Sequence, residues 1–405
     1  MREKEILKAS MKGHSGKRMD VRACAIKFIL TLIQHSGVTT RGAILSNRIL
    51  MGPIIKFLPL DSDSTVLDVI ECIKSRVVAD KRISKFVKST FFNTEQFPYR
   101  LATLYERCYN DLQEPSEFVK TIHEFLVDLC TNPGNGVCFE DKGWYPRTGG
   151  TSIDYDRLYN LSLFRFLGQL RTFENEYHRA LTIHILTTCP ELRAPYFTNI
   201  QQPPPPSLSL QYVYAVSLWR EIIGLPLPKH YTDDSNLPDD PPPTDIIIEN
   251  IMPSFLNKGY LANGLSHDSS LVRYATCQLI LAILDQLQKL HNAIQSAGAN
   301  WLNQFHGILA TVSRRLPDSS LILKHFSLSS KSPLALICCV KVLSSYSEFL
   351  SNISSGQSID AKAITSGFDN RWDWAPPLGL LGHVQLFKII HQQSDVNWWS
   401  RQGVS

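Results

Sequence analysis

The stretch LVRYATCQLILAILDQLQKL, residues 271–290, decides the fold. Its apolar positions Leu271, Ala275, Leu279, Ile283, Leu287 and Leu290 fall almost four residues apart, the spacing of one face of an α-helix. Val272, Ile280 and Leu284 line a second face. A helix apolar on two sides has to be covered on both, as an inner helix of a layered stack is. Asp268, Ser269 or Ser270 precedes it and can cap the orphan amides of its first turn. Arg273, Asp285 and Lys289 interrupt the apolar run, so it does not read as a membrane span.

The same period recurs along the chain. Residues 19–34 place Val21, Cys24, Ala25, Phe28 and Leu32 on one face, and residues 64–78 place Leu67, Ile70, Ile73 and Val77. Residues 116–129 do so with Phe118, Ile122, Phe125 and Leu129. Segments 158–170, 177–187, 210–223, 301–312 and 334–349 read alike, the last opened by Ser332 and Pro333. Ile246-Ile247-Ile248 is the one tight β-branched run. The expectation is an all-α chain of roughly a dozen helices.

Two helices begin alike, with Asp20-Val21-Arg22 before Ala25 and with Asp268 before Val272-Arg273 and Ala275. A small alanine early in such a helix permits close approach, as in the second helix of armadillo or HEAT pairs. An armadillo/HEAT-like α-solenoid is therefore favoured, because 405 residues of helix pairs would overfill a single core. Long Gly/Pro-rich loops are expected over 131–154 and 201–244, where NPGNG, GWYPRTGGT and Pro203 to Pro206 stand. The expected division is an α-solenoid domain over 1–355 and an incomplete helical and aromatic tail over 356–405.

Composition narrows the class. Hydrophobic residues make up 43% and charged residues 19%, enough apolar surface to order the chain and few charges to solvate it. The deficit suggests that a partner covers some surface. Nine cysteines, an odd number spread over helix faces, point to buried free thiols in a reducing compartment. The opening MREKEILK carries no apolar core of a secretory signal, so an intracellular protein is expected.

The charge is lopsided. Residues 1–92 hold seventeen Lys/Arg against eight Asp/Glu, a local +9, whereas the whole chain is +4. Such an end can bind a phosphate backbone by releasing counterions. Lys12, Lys17, Arg18, Arg41, Arg48, Lys56, Lys74, Arg76, Lys81 and Arg82 are the candidate nucleic-acid contacts; a solvated helix face is the plain alternative. Trp144 and Tyr145 are candidate partner contacts, as base-stacking platforms or protein hot spots, or else a local mini-core.

No catalytic pattern completes itself. His123-Glu124 lacks the second histidine of a zincin, and Gly13-His-Ser15-Gly16 lacks the spacing of a nucleophile elbow. GHSGKR, residues 13–18, has neither the glycine spacing nor the Ser/Thr of a phosphate loop. Cys130 with Cys138, and Cys338 with Cys339, show no adjacent histidine or paired CxxC, so they read as packing residues. His178 and His184 lie six apart, on different helix faces. The expectation is no enzyme, with no cofactor, no metal and no small-molecule substrate.

Three segments in order carry a family likeness: GVCFEDKGWYP (137–146), PELRAPYF (190–197) and IMPSFLNKGYLANGLSHDSSLVRYATCQLILAILDQLQKL (251–290). With KFVKSTFFN at 85–93 they resemble the N-terminal domain of the nucleolar pre-ribosomal-associated protein one family, over about residues 20–350. The resemblance implies an armadillo-type scaffold without catalytic residues, acting in the nucleolus on early precursors of the large (60S) ribosomal subunit. It further implies association with pre-ribosomal RNA, small nucleolar RNA, other assembly factors and a DEAD-box RNA helicase, and no membrane partner. Members are much longer than this chain, so a piece of a longer protein is expected. The rival reading is an RNA-independent adaptor solenoid that grips protein cargo, which the low charge and the tetraproline would suit.

Overall fold

The computed structural model describes residues 21–110, 116–140, 143–144, 158–200, 202–228, 243–295, 299–328 and 333–349. It is helical throughout, with no strand among the described residues. The chain divides into two compact units, one built chiefly from residues up to 196 and one from residue 197 onward.

In the first unit, helices α1 (Val21–His35), α2 (Val38–Ser46), α3 (Arg48–Phe57), α4 (Asp63–Ile73), α5 (Lys85–Asn93) and α6 (Phe97–Ala102) follow one another. After them come α7 (Glu117–Thr131), α8 (Leu161–Leu167), α9 (Glu176–Thr188) and α10 (Arg193–Thr198). Short polar caps set the starts. Asn47 accepts from the amides of Ile49 and Leu50, Ser62 from Thr65, Ser84 from Val87 and Ser116 from Val119. Each such cap contributes about 1 kcal/mol. The core is aromatic at its centre: Phe91, Phe92 and Phe97 sit 5.1–5.7 Å apart, and Phe125 of α7 meets Phe97 edge-on at 6.5 Å.

Helix α1 turns the opposite way from the sequence reading. Its buried face is Ile26, Ile29, Leu30 and Ile33, while Val21, Cys24, Phe28 and Leu32 are exposed. Both stripes are apolar, so periodicity could not separate them. Arg22 fixes the choice: its guanidinium grips Asp61 through two 2.7 Å hydrogen bonds and also donates to the carbonyls of Pro53 and Ile54. Helix α4 ends earlier than the periodicity suggested, at Ile73, and a π turn carries the chain on through Lys74–Val78.

The second unit contains α11 (Leu210–Ile223), α12 (Thr244–Ile251), α13 (Lys258–Leu265), α14 (Ser270–Ile294), α15 (Ala299–Arg315), α16 (Ser319–Leu328) and α17 (Pro333–Phe349). Helix α14 is covered on more than one side, as its two apolar faces required, with α11, α13 and α17 packed against it. Val272, Leu279, Ile280, Ile283, Leu284, Leu287 and Leu290 are all buried, each worth roughly 2–3 kcal/mol of transfer free energy. Leu271, placed in the inner stripe by spacing, is exposed. The cap position falls on Ser269, but its side chain does not accept; Arg273 instead donates to the carbonyls of His267 and Asp268. Tyr212 of α11 reaches the Thr276 hydroxyl at 2.7 Å, and Gly264 of α13 leaves room for that threonine.

The Ile246-Ile247-Ile248 run is helical, inside α12, with all three side chains buried. Tertiary burial overrides β-branched propensity there. Within the loop expected over 201–244, Leu210–Ile223 is helix, as the apolar period at 210–223 indicated. The loop expected over 131–154 is described at 131–140 and 143–144, and the tail over 356–405 lies outside the described residues. Among the described residues, no single helix is long and apolar enough to cross a membrane.

Candidate nucleic-acid interface

Of the ten candidate cations, Lys12, Lys17 and Arg18 lie outside the described residues. Arg41 is a correction. Its side chain is buried, 2.9 Å from Asp80, and it also donates to the carbonyls of Ile33, Ser36 and Arg76. A buried guanidinium whose three nitrogens all hydrogen-bond inside the fold holds α2 to the end of α4 and is not offered to a phosphate. Trp144 is corrected likewise: it is 3% exposed and so not a surface platform, while Tyr145 lies outside the described residues.

The other six are exposed, and four of them sit together in sequence on one connection. After α4 the π turn presents Lys74 and Arg76, and the bend before α5 presents Lys81 and Arg82, with Lys85 opening α5. The fold keeps this connection in place from beneath. Asp80, the one acid in it, accepts from the Arg82 amide and guanidinium at 3.0 Å and from Arg41 at 2.9 Å. The hydrogen bonds from the Arg82 side chain and amide, with the charges of Arg82 and Arg41, hold the Asp80 carboxyl down to about 2. Its negative charge is thereby turned toward Arg41 and Arg82. Lys88, buried on α5, donates its ammonium to the Val78 carbonyl at 2.8 Å and pins the same connection.

Directly after Lys85 in the sequence stands Phe86, 79% exposed, which charge counting did not single out. An exposed aromatic ring on a connection that also carries exposed cations combines a stacking surface with counterion-releasing charge. The signal in the sequence is the Lys85-Phe86 pair at the start of a helix whose inward residues are Phe91 and Phe92. Arg48, at the start of α3, and Lys56, lying 5.7 Å over the Phe57 ring, are exposed elsewhere on the first unit.

Two of the segments that carry the family likeness are joined by a buried knot. Asn160, fully buried, accepts from the Phe139 amide at 2.7 Å and donates to its carbonyl at 2.9 Å. Glu191 accepts from both the amide and the side chain of Asn160. Cys138 and Cys189 bring their sulfurs to 3.6 Å. So Cys138 and Phe139 of the 137–146 segment are tied through Asn160 to the 190–197 segment. A buried polar knot of this kind, with its hydrogen bonds satisfied, fixes one packing arrangement. His178, also buried, accepts from the Arg171 amide, and burial presses its pKa down to about 4.

Comparison with known proteins gives the family. The family model Npa1, described as ribosome 60S biogenesis N-terminal, matches residues 1–214. Nucleolar pre-ribosomal-associated protein 1 of Saccharomyces cerevisiae is 26% identical over 332 residues, covering 80% of this chain and 18% of that protein. The proteins of the same name from Mus musculus and Homo sapiens are 26% and 25% identical, over 67% of this chain and 12% of each relative. The chain thus spans less than a fifth of the length of these relatives. The family match takes in more than half of the chain, including the basic connection and the Asn160 knot, and the protein belongs to the Npa1 family, ribosome 60S biogenesis N-terminal.

Proposed function

We propose that this chain is a non-catalytic scaffold in early assembly of the large ribosomal subunit, acting in the nucleolus and holding precursor RNA and assembly factors together. The observation that carries the RNA contact is the connection 74–86, where Lys74, Arg76, Lys81, Arg82, Lys85 and the ring of Phe86 are exposed together. Cations supply the sequence-independent affinity for phosphates, and the ring supplies stacking for an unpaired base. Pre-ribosomal RNA and small nucleolar RNA are the ligands proposed, with a DEAD-box helicase among the protein partners.

An armadillo-like arrangement is part of the proposal. Two buried Arg–Asp ties, Arg22–Asp61 and Arg41–Asp80, span the same 39 residues and bind successive helices of one pair forward to α4 and its flanks. A forward reach of about 40 residues is the separation at which helices of neighbouring armadillo or HEAT repeats meet.

The test is RNA affinity against salt for the chain and for a variant with Lys74, Arg76, Lys81 and Lys85 changed to Glu. Arg82 is left in place because it braces Asp80. The variant is expected to lose affinity, with a slope of log K against log salt shallower by about 3 (~0.7 for each single-strand phosphate contact). Unchanged affinity and slope in a folded variant would move the RNA site away from this connection.

A further inference from the structure

Three side chains far apart in the sequence meet inside the second unit. Cys277 lies in the first third of α14, His325 near the end of α16 and Cys339 in the second turn of α17. All three are buried, and their sulfur and ring-nitrogen atoms lie within 4.8 Å of one another. The two sulfurs are 3.9 Å apart. In a tetrahedral zinc site with Zn–S bonds of about 2.3 Å, two thiolate sulfurs stand about 3.8 Å from each other. The thiol of Cys338 is a further neighbour of Cys277 but does not converge with the other three donor atoms. Sequence spacing hid this set, because the histidine that Cys338 and Cys339 lack nearby is thirteen and fourteen residues upstream, on another helix.

We propose that Cys277, His325 and Cys339 bind a zinc ion that clips α14, α16 and α17 together. The donor chemistry favours it. Two thiolates and an imidazole suit a borderline-soft cation and are poor ligands for magnesium or calcium. Two thiolates and one divalent cation are neutral overall, which a fully buried site can hold without leaving uncompensated charge. Loading releases the two thiol protons to solvent as the metal enters. The position suits a structural clip: α17 packs on both α14 and α16, so one ion ties down three helices at the point where they converge.

Zinc content and cobalt spectra of the 405-residue chain test the site. Chain purified without chelator is expected to carry about one zinc, and the metal-stripped chain titrated with cobalt should develop the visible bands of tetrahedral thiolate coordination. Cys339→Ser and His325→Ala should weaken cobalt binding at least about tenfold, whereas Cys24→Ser, at an exposed thiol, should leave it unchanged. A helical, folded chain that takes up no cobalt in this form would show that the three residues are packing side chains only. Bands that survive Cys339→Ser would place the metal on other thiols and equally overturn the proposal. Should a variant fail to fold, the titration of the unaltered chain still decides.

Discussion

Arg22 and Asp61 show how much a single buried pair fixes. Both side chains are nearly enclosed, with charge-assisted contacts of 2.7 Å. Asp61→Asn would leave a buried guanidinium without its counter-ion, at a cost of about 3–5 kcal/mol, read by urea unfolding. His178 makes a pH prediction. Burial holds its pKa at about 4, below the ~6.5 of an unfolded histidine, so protons favour the unfolded chain between those values. Stability from this group is intact above about pH 6.5 and falls as pH drops toward 4. His178→Gln, which retains an acceptor for the Arg171 amide, should flatten that part of the stability–pH profile. Asp80 works in a lower window: its contribution is present above about pH 4 and is lost as pH falls through about 2. Amide exchange across 74–86 should accelerate in that acid range.

At the scale of elements, periodicity identified helices well and their orientation less well. The α7 face Phe118, Ile122, Phe125 and Leu129 is buried as its spacing indicated, because the other side of that helix is polar. Helix α1 has two apolar sides, and what selects between them is the reach of Arg22 to Asp61, a contact across 39 residues that no local pattern contains. Ile29→Ala should therefore cost about 2–4 kcal/mol, while Phe28→Ala, at a side chain 65% exposed, should stay within about 0.5 kcal/mol; thermal unfolding of the two variants separates them. The basic connection was legible as a count of charges, but not the burial of Arg41, which depends on where Asp80 comes to rest. Helices α2, α3, α5 and α6 escaped the reading because they are short and their apolar residues lack a sustained stripe. Gly136 shows the close packing of the turn after α7. Its φ is +102°, and a Cβ there would run into Lys88, so Gly136→Ala is expected to lower the melting temperature of the chain.

For the whole molecule, the proposed role rests on two features: a chain belonging to a 60S biogenesis family, and a connection, 74–86, along which exposed cations are followed by an exposed ring. Phe86 should separate stacking from charge. Phe86→Ala is expected to lower affinity for single-stranded RNA by about 1–3 kcal/mol, with the salt slope and the melting temperature unchanged. The most direct measurement of the central claim is ultraviolet crosslinking of the tagged chain in cells, with the bound RNA sequenced and the crosslinked peptides identified. The account predicts enrichment of large-subunit pre-ribosomal RNA and small nucleolar RNA, with crosslinks falling on residues 74–86. Background levels of RNA on a well-expressed, folded chain would contradict it.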